Sequence, residues 1–265
     1  MASDIHISIS AETIFNFNGF EVTNAMLGTI AVCFGLIISS VFIGSSLNKT
    51  GIPNKLQNAI EWFYKIVEGI ASDGIGSVKK ARPYLGLVLT LFLFIVFSSW
   101  LGLIPGVLHI GIQVTPDLFY PIFRAPTTDL NATIALAIIA WITIQFAGFN
   151  ALGFSYLGKF FQFKSGALGF FVGVQELISE FARLISFSFR LFGNIFAGEV
   201  LIVVVASLTK FQTNIPWLDY FGVPLPVFII IMEVLVAMMQ AYVFVSLMSL
   251  FIAMAVEDAH HEHAH

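Results

Sequence analysis

Three stretches of the chain run for about twenty residues or more without a charged side chain: Ala25 to Leu47, Tyr84 to Ile104 and Leu130 to Asn150. A helix rises 1.5 Å per residue, so each is long enough to cross about 30 Å of hydrocarbon and predicts a membrane-spanning helix. Two further apolar stretches, Phe171 to Leu208 and Pro226 to Val256, are longer and carry charges inside them. As single helices their 38 and 31 residues would run about 57 Å and about 46 Å, so both must tilt strongly or protrude. The nine prolines fall outside these interiors: Pro53, Pro83, Pro105, Pro116, Pro121, Pro126, Pro216, Pro224 and Pro226 mark loops or helix starts.

Between the first two spans, Leu56, Ile60, Phe63, Val67 and Ile70 recur at steps of four and three, which predicts an amphipathic helix over about residues 54–72. Glu61 and Lys65 form a favourable i,i+4 pair on its other face. Such a helix either lies along the membrane surface or packs on a neighbouring subunit. The expected fold is therefore all-α and polytopic, with helices at about 25–47, 54–72, 84–104, 130–150, 171–208 and 226–256: five crossings plus one surface helix. Residues 25–256 make one membrane domain, preceded by an extracytoplasmic segment 1–24 and followed by an acidic, His-rich tail 257–265. No internal repeat or low-complexity tract is visible.

Orientation follows from the basic residues, which gather on the cytoplasmic side. Lys49, Lys55, Lys65, Lys79, Lys80 and Arg82 follow the first span, and Lys159 and Lys164 follow the third. Arg124 and Lys210 fall on the other side, so the N-terminus is expected outside and the C-terminus inside. The first 24 residues carry Asp4, Glu12 and Glu21 without Lys or Arg, unlike the positive start of a cleaved signal peptide.

Composition agrees. Hydrophobic residues make up 58% of the 265 and charged ones 11%, well below the roughly 25% of ordinary soluble domains. A net charge of −4, evenly mixed, leaves no basic stripe for a nucleic-acid backbone. The single cysteine, Cys33, lies in an apolar run and excludes an internal disulfide or a cysteine metal cluster. His260, His261, His263 and His265 are read as a solvated tail, with adventitious metal binding as the alternative. No phosphate-binding P-loop is present, and no cofactor or metal is expected.

The chemistry rests on six charges inside the apolar stretches: Glu176, Glu180, Arg183, Arg190, Glu199 and Glu233. Each costs several kcal/mol in hydrocarbon and needs a partner, a water cavity or a function. On a wheel of about 100° per residue, Glu176, Glu180, Arg183, Arg190 and Asn194 share an arc of about 80°, while Glu199 faces about 180° from Arg190. Glu233 and Gln240 stand seven apart, two turns along one face of the last helix. Arg183 has acids at i−3 and i−7, so an ion pair with snorkelling accounts for it. Arg190 has Ser186, Phe187, Gly193 and Asn194 at those neighbouring positions, and no acid. A guanidinium cannot escape by deprotonating, so its counter-charge must come from elsewhere, another subunit included. A carboxyl in low dielectric can hold or pass a proton near neutral pH. Glu199 and Glu233 are thus either proton relays or a pair of acids hydrogen-bonded to each other. Asp129 and Asn131 either cap the third span or line an entry vestibule.

The run Arg190-Leu191-Phe192-Gly193-Asn194-Ile195-Phe196-Ala197-Gly198-Glu199 resembles the signature of the a-subunit family of F-type ATP synthases, in which an essential arginine opens an R-L-F-G-N-x-x-A-G-E segment. Glu176 stands fourteen before the arginine and Ser186 four before it, as in that family. Glu233 and Gln240 match its Glu or His seven residues ahead of a Gln, and the run from Pro126 to Asn131 resembles its entry to the third span. The resemblance covers roughly Pro53 to Val256. It implies a stator subunit whose two long tilted helices wrap a ring of c subunits, in a complex with peripheral-stalk b subunits and a lipid bilayer. Arg190 would then face the ring carboxylate. Asn194, Glu199, Glu233 and Gln240 would line a half-channel from outside, and Glu176 with Glu180 and Ser186 one to the cytoplasm. Carboxylates at both Glu199 and Glu233 depart from members with His at one relay position.

The resemblance implies a non-catalytic, ion-translocating subunit. The basic-loop asymmetry suits a bacterial plasma membrane, with an organelle inner membrane as the alternative. A self-contained proton-coupled transporter would show inverted hydropathy repeats around broken helices, and none is found. A non-conducting scaffold would hold its buried charges in closed pairs, against which Arg190 stands.

Overall fold

Each apolar run forms a helix. In the computed structural model, residues 11–17, 19–47, 54–104, 111–115, 118–160, 166–210 and 224–262 are described. The helices are α1 (Asn24–Ser46), α2 (Lys55–Ile75), α3 (Val78–Leu103), α4 (Leu130–Leu152), α5 (Gly166–Lys210) and α6 (Pro224–Glu262). Among the described residues five of them, all but α2, are long and apolar enough to cross a membrane. The protein is an all-α, multi-pass membrane protein. At 45 and 39 residues, α5 and α6 run about 68 Å and about 58 Å, longer than the apolar stretches alone indicated.

Two small antiparallel ribbons accompany the helices: β1 (Thr13–Phe17) with β2 (Phe20–Thr23), and β3 (Gly111–Thr115) with β4 (Leu118–Pro121). The first is tied to α1 where the Asn24 N–H donates to the Glu12 carbonyl at 3.0 Å, and Thr23 caps α1 by accepting from the Met26 N–H at 3.3 Å. Lys49, Pro53, Pro105, Pro116, Lys164, Pro216, His263 and His265 lie outside the described residues.

Several boundaries differ from the expectation, the start of α3 among them. Pro83 sits inside α3, which begins at Val78 and not at Tyr84. Pro83 removes one donor from the ladder, but it is exposed and lies in the second turn, near the start of the helix. Pro224 and Pro226 occupy the first turn of α6, where an N–H would have no helical partner.

The chain divides into two compact units. The first contains Met1–Leu47, Leu93–Thr133 and Arg190–Ala241. Here α1 buries Asn24, Ala25, Gly28 and Val32 and leaves Phe34, Ile37, Ile38, Val41 and Phe42 exposed, as lipid-facing residues are. The loop from Arg124 to Asp129 descends into this unit, and Ala125, Thr127 and Thr128 are buried. Two glycines make room for it: a Cβ at Gly28 would collide with the Arg124 carbonyl oxygen, and one at Gly102 would lie 2.9 Å from the Ala125 Cβ.

The second unit contains Asn48–Phe92, Ile134–Phe189 and Tyr242–His265. Its α2 ends at Gly76, whose φ of +78° and N–H bond to the Ser72 carbonyl at 2.8 Å form a left-handed cap. The expected apolar stripe shifts toward that end: Val67, Ala71 and Ile75 are buried, whereas Leu56 is exposed. The shift follows from close packing near Gly74, where a Cβ would stand 2.6 Å from the Ser249 Cβ of α6.

Candidate functional site

In the first unit, α5 places Glu199 and α6 places Glu233 around a cavity of about 40 Å³. Its wall includes Ser99, Gly102, Ala125, Thr128 and Ile195. Glu233 is 8% exposed and reaches the cavity because Gly198 has no side chain: a Cβ there would collide with the Glu233 carboxylate. Among the described residues neither buried Oε1 of Glu233 nor Oε2 of Glu199 has a hydrogen-bond donor. The walls are largely apolar, with two carboxyls and the Ser99 and Thr128 hydroxyls as the polar groups, and the volume has room for about two or three waters.

Glu199 does not pair with Glu233. Its partner is Arg124, whose guanidinium NH2 stands 3.7 Å from Glu199 Oε2. Arg124 is 7% exposed, and its Nε donates to Thr128 Oγ1 at 3.1 Å. The Thr128 hydroxyl in turn donates to the Ala125 carbonyl at 2.8 Å, and Ser99 and Thr127 hydroxyls pair at 3.2 Å. Sequence reasoning counted Arg124 only as an outer loop base. The signal available was its place two residues before Pro126, in a segment too short to carry it far from the start of α4.

Farther along the same two helices, Asn194 Nδ2 donates to Gln240 Oε1 at 2.7 Å, which joins two residues that the helical wheel set on separate helices. Gln240 is buried and Asn194 exposed. Asp129 is a cap: its Oδ1 accepts from the Asn131 N–H at 3.0 Å and its carbonyl from the Thr133 N–H at 3.1 Å. Asn131 is exposed.

Arg190, the first residue of α5 in this unit, is exposed. Among the described residues no acid pairs with it, whereas Arg124 and Arg183 each have one beside them. Gly193, Asn194 and Ala197 are exposed on the same face, and a Cβ at Gly193 would meet nothing within 4 Å. The inward turn of Glu199 and the outward turn of Arg190 follow the half-turn between them on the wheel.

In the second unit the polar stripe of α5 is largely paired. Glu180, 2% exposed, accepts from Arg183 NH1 at 3.1 Å, Gln145 Nε2 at 2.7 Å and Trp141 Nε1 at 3.3 Å. Tyr156 donates to Gln145 Oε1 at 2.8 Å and extends the network. Arg183 also stands 4.0 Å from Glu176 and lies over the Phe251 ring, 4.6 Å from its centre. Glu176 is half-buried, and Ser186 is exposed. The amides and indole that satisfy Glu180 come from α4, a helix whose wheel position gave no warning of them.

A family profile for the ATP synthase A chain matches residues 26–253, nearly the whole chain. The chain belongs to the ATP synthase A chain family. It is 34% identical over 258 residues to ATP synthase subunit a of Gloeobacter violaceus, covering 97% of this chain and 93% of that relative. It is 33% identical over 215 residues to ATP synthase subunit a of Campylobacter concisus, covering 80% and 81%. The counterpart from Campylobacter jejuni is 33% identical over 214 residues, covering 79% and 81%. In this ATP synthase A chain the signature run Arg190 to Glu199 thus spans both an outward-facing cation and an inward-facing, paired acid.

Proposed function

We propose that the chain is the stator subunit of a rotary ATP synthase and carries protons past a ring of c subunits without itself catalysing ATP chemistry. The observation that carries this reading is Arg190: a permanent cation on an apolar helix, exposed, with no acid beside it among the described residues. Burying such a charge in hydrocarbon unpaired costs several kcal/mol, so the face is built for a partner that brings an anion. The small residues Gly193 and Ala197 beside it let another helix approach closely, which is how helices associate in lipid.

The ring carboxylate supplies that anion. As it passes Arg190, the fixed positive charge favours its ionised form. The same charge repels a proton that would cross directly. Glu199, Glu233, Asn194 and Gln240 line the half-channel from outside, and the cavity between the two carboxyls supports an aqueous path there. Glu176, with Ser186, serves the half-channel to the cytoplasm, and the paired Glu180 holds its wall in place. Because the two paths do not join, a proton rides the ring almost fully round. The gradient supplies about 2.3 kcal/mol per charge per 100 mV to turn it. The subunit works in a bacterial plasma membrane, as the bacterial relatives and the basic cytoplasmic loops support, alongside peripheral-stalk b subunits and the rest of the complex.

The test is Arg190→Ala in inverted membrane vesicles carrying the assembled complex. ATP-driven acidification is lost while the complex still assembles; normal acidification would overturn the reading.

A further inference from the structure

We propose that the second unit carries a binding site for an anionic phospholipid, in a cavity where α3 begins and α4 ends. The lipid phosphate sits among Lys80, Tyr84 and Asn150, and an acyl chain lies along α4. The site is independent of the proton path.

The cavity holds about 220 Å³, several times the volume between Glu199 and Glu233. Ala147, Ala151 and Val256 give it small or apolar walls, and the polar side chains on it are Lys80, Tyr84 and Asn150. They bring an ammonium, a hydroxyl and a carboxamide, each able to donate to a phosphate oxygen, and the lysine supplies the opposite charge. Among the described residues none of these three side chains has a hydrogen bond or ion pair; the acids that pair do so with Arg124 and Arg183. No acid lines the cavity, and neither α3 nor α4 contains one. The group that this set of donors fits is an anion.

Position favours a lipid phosphate over a free one. Lys80 is the third residue of α3 and Asn150 the third from the end of α4, and both helices are long and apolar enough to cross a membrane. The cavity therefore stands at the level of the headgroups, next to hydrocarbon. Ile142, Phe146 and Phe149 recur at steps of four and three and are exposed, so an apolar stripe of α4 leads away from that level. Asn150 borders the stripe, one turn from Phe146. A phosphate held at Asn150 sets its acyl chain on Phe146 and Ile142, whereas inorganic phosphate would use the polar end alone. Lys79 and Arg82 are exposed beside Lys80 and do not line the cavity; they draw anionic lipid toward this end without holding it.

The probe is phosphatidylglycerol with a photoactivatable group in its acyl chain, mixed with the assembled complex in phosphatidylcholine vesicles. After illumination the label is mapped by peptide mass spectrometry and counted per assembled complex. It is expected on the α4 segment holding Ile142, Phe146 and Phe149, with a phosphatidylcholine probe giving severalfold less. Lys80→Gln lowers the label about fivefold, the effect of one basic residue on an anionic lipid, and Lys80→Arg retains it. Ala151→Phe fills the cavity without altering a charge and lowers the label similarly. Lys79→Gln leaves it nearly unchanged. Lys80 and Ala151 are exposed, so both variants assemble; should Ala151→Phe fail to do so, Lys80→Gln against Lys79→Gln decides. The site is overturned if Lys80→Gln or Ala151→Phe labels like the unaltered chain, or if the phosphatidylcholine probe labels α4 equally. It is also overturned if Lys79→Gln loses as much as Lys80→Gln, which would mean attraction to a charged surface only. Displacement of the label by inorganic phosphate would assign the cavity to a free anion and contradict the lipid.

Discussion

Arg183 and Arg190 are seven residues apart on one helix and have opposite surroundings. Arg183 is enclosed by Glu180, Glu176 and the Phe251 ring, whereas Arg190 is exposed with no acid beside it. Removing one partner of a buried pair strands the other at a cost of about 3–5 kcal/mol. Glu180→Ala should therefore lower the amount and detergent thermal stability of the subunit more than the proton flux of those complexes that assemble. Normal stability with lost flux would instead make Glu180 a proton carrier. A second residue-scale prediction concerns Gly198. The carboxyl that a Cβ would strike is the end of a flexible side chain, so Gly198→Ala should fold but push Glu233 from its place. Acidification by vesicles should fall severalfold at normal subunit abundance. The lack of a same-helix acid beside Arg190 was legible in the sequence because its helical neighbours can be read directly. The partners of Glu180 and Glu199 were not, because Trp141, Gln145 and Arg124 are distant in sequence and only tertiary packing brings them near.

At the scale of elements, the exposed face of α5 at Arg190, Gly193 and Ala197 is a surface made of small side chains around one charge. Gly193→Leu adds bulk where no described residue stands within 4 Å of its Cβ position, so folding in the membrane should be unchanged. Coupled pumping should nevertheless be lost, because the obstruction is to the partner. Unaltered pumping would mean that no helix approaches there. The existence of the five apolar spans was legible, since hydrocarbon demands long apolar helices of set length. The start of α3 was not, because Pro83 suggests a boundary that an exposed second turn overrides. The short ribbons β1–β2 and β3–β4 were also missed: four or five residues give too few alternations to set them apart from loop.

For the molecule as a whole, the proposed function requires that ions reach a rotor from both sides without direct passage. In that proposal the acids and amides of α5 and α6 provide the routes and Arg190 the barrier. The most direct measurement is proton movement in vesicles containing the assembled complex with Arg190→Ala, read both as ATP-driven acidification and as passive proton entry under an imposed potential. The account predicts that driven acidification vanishes while passive entry persists or rises, since the routes remain and the barrier has gone. Acidification at the unaltered rate, with no added leak, would contradict it.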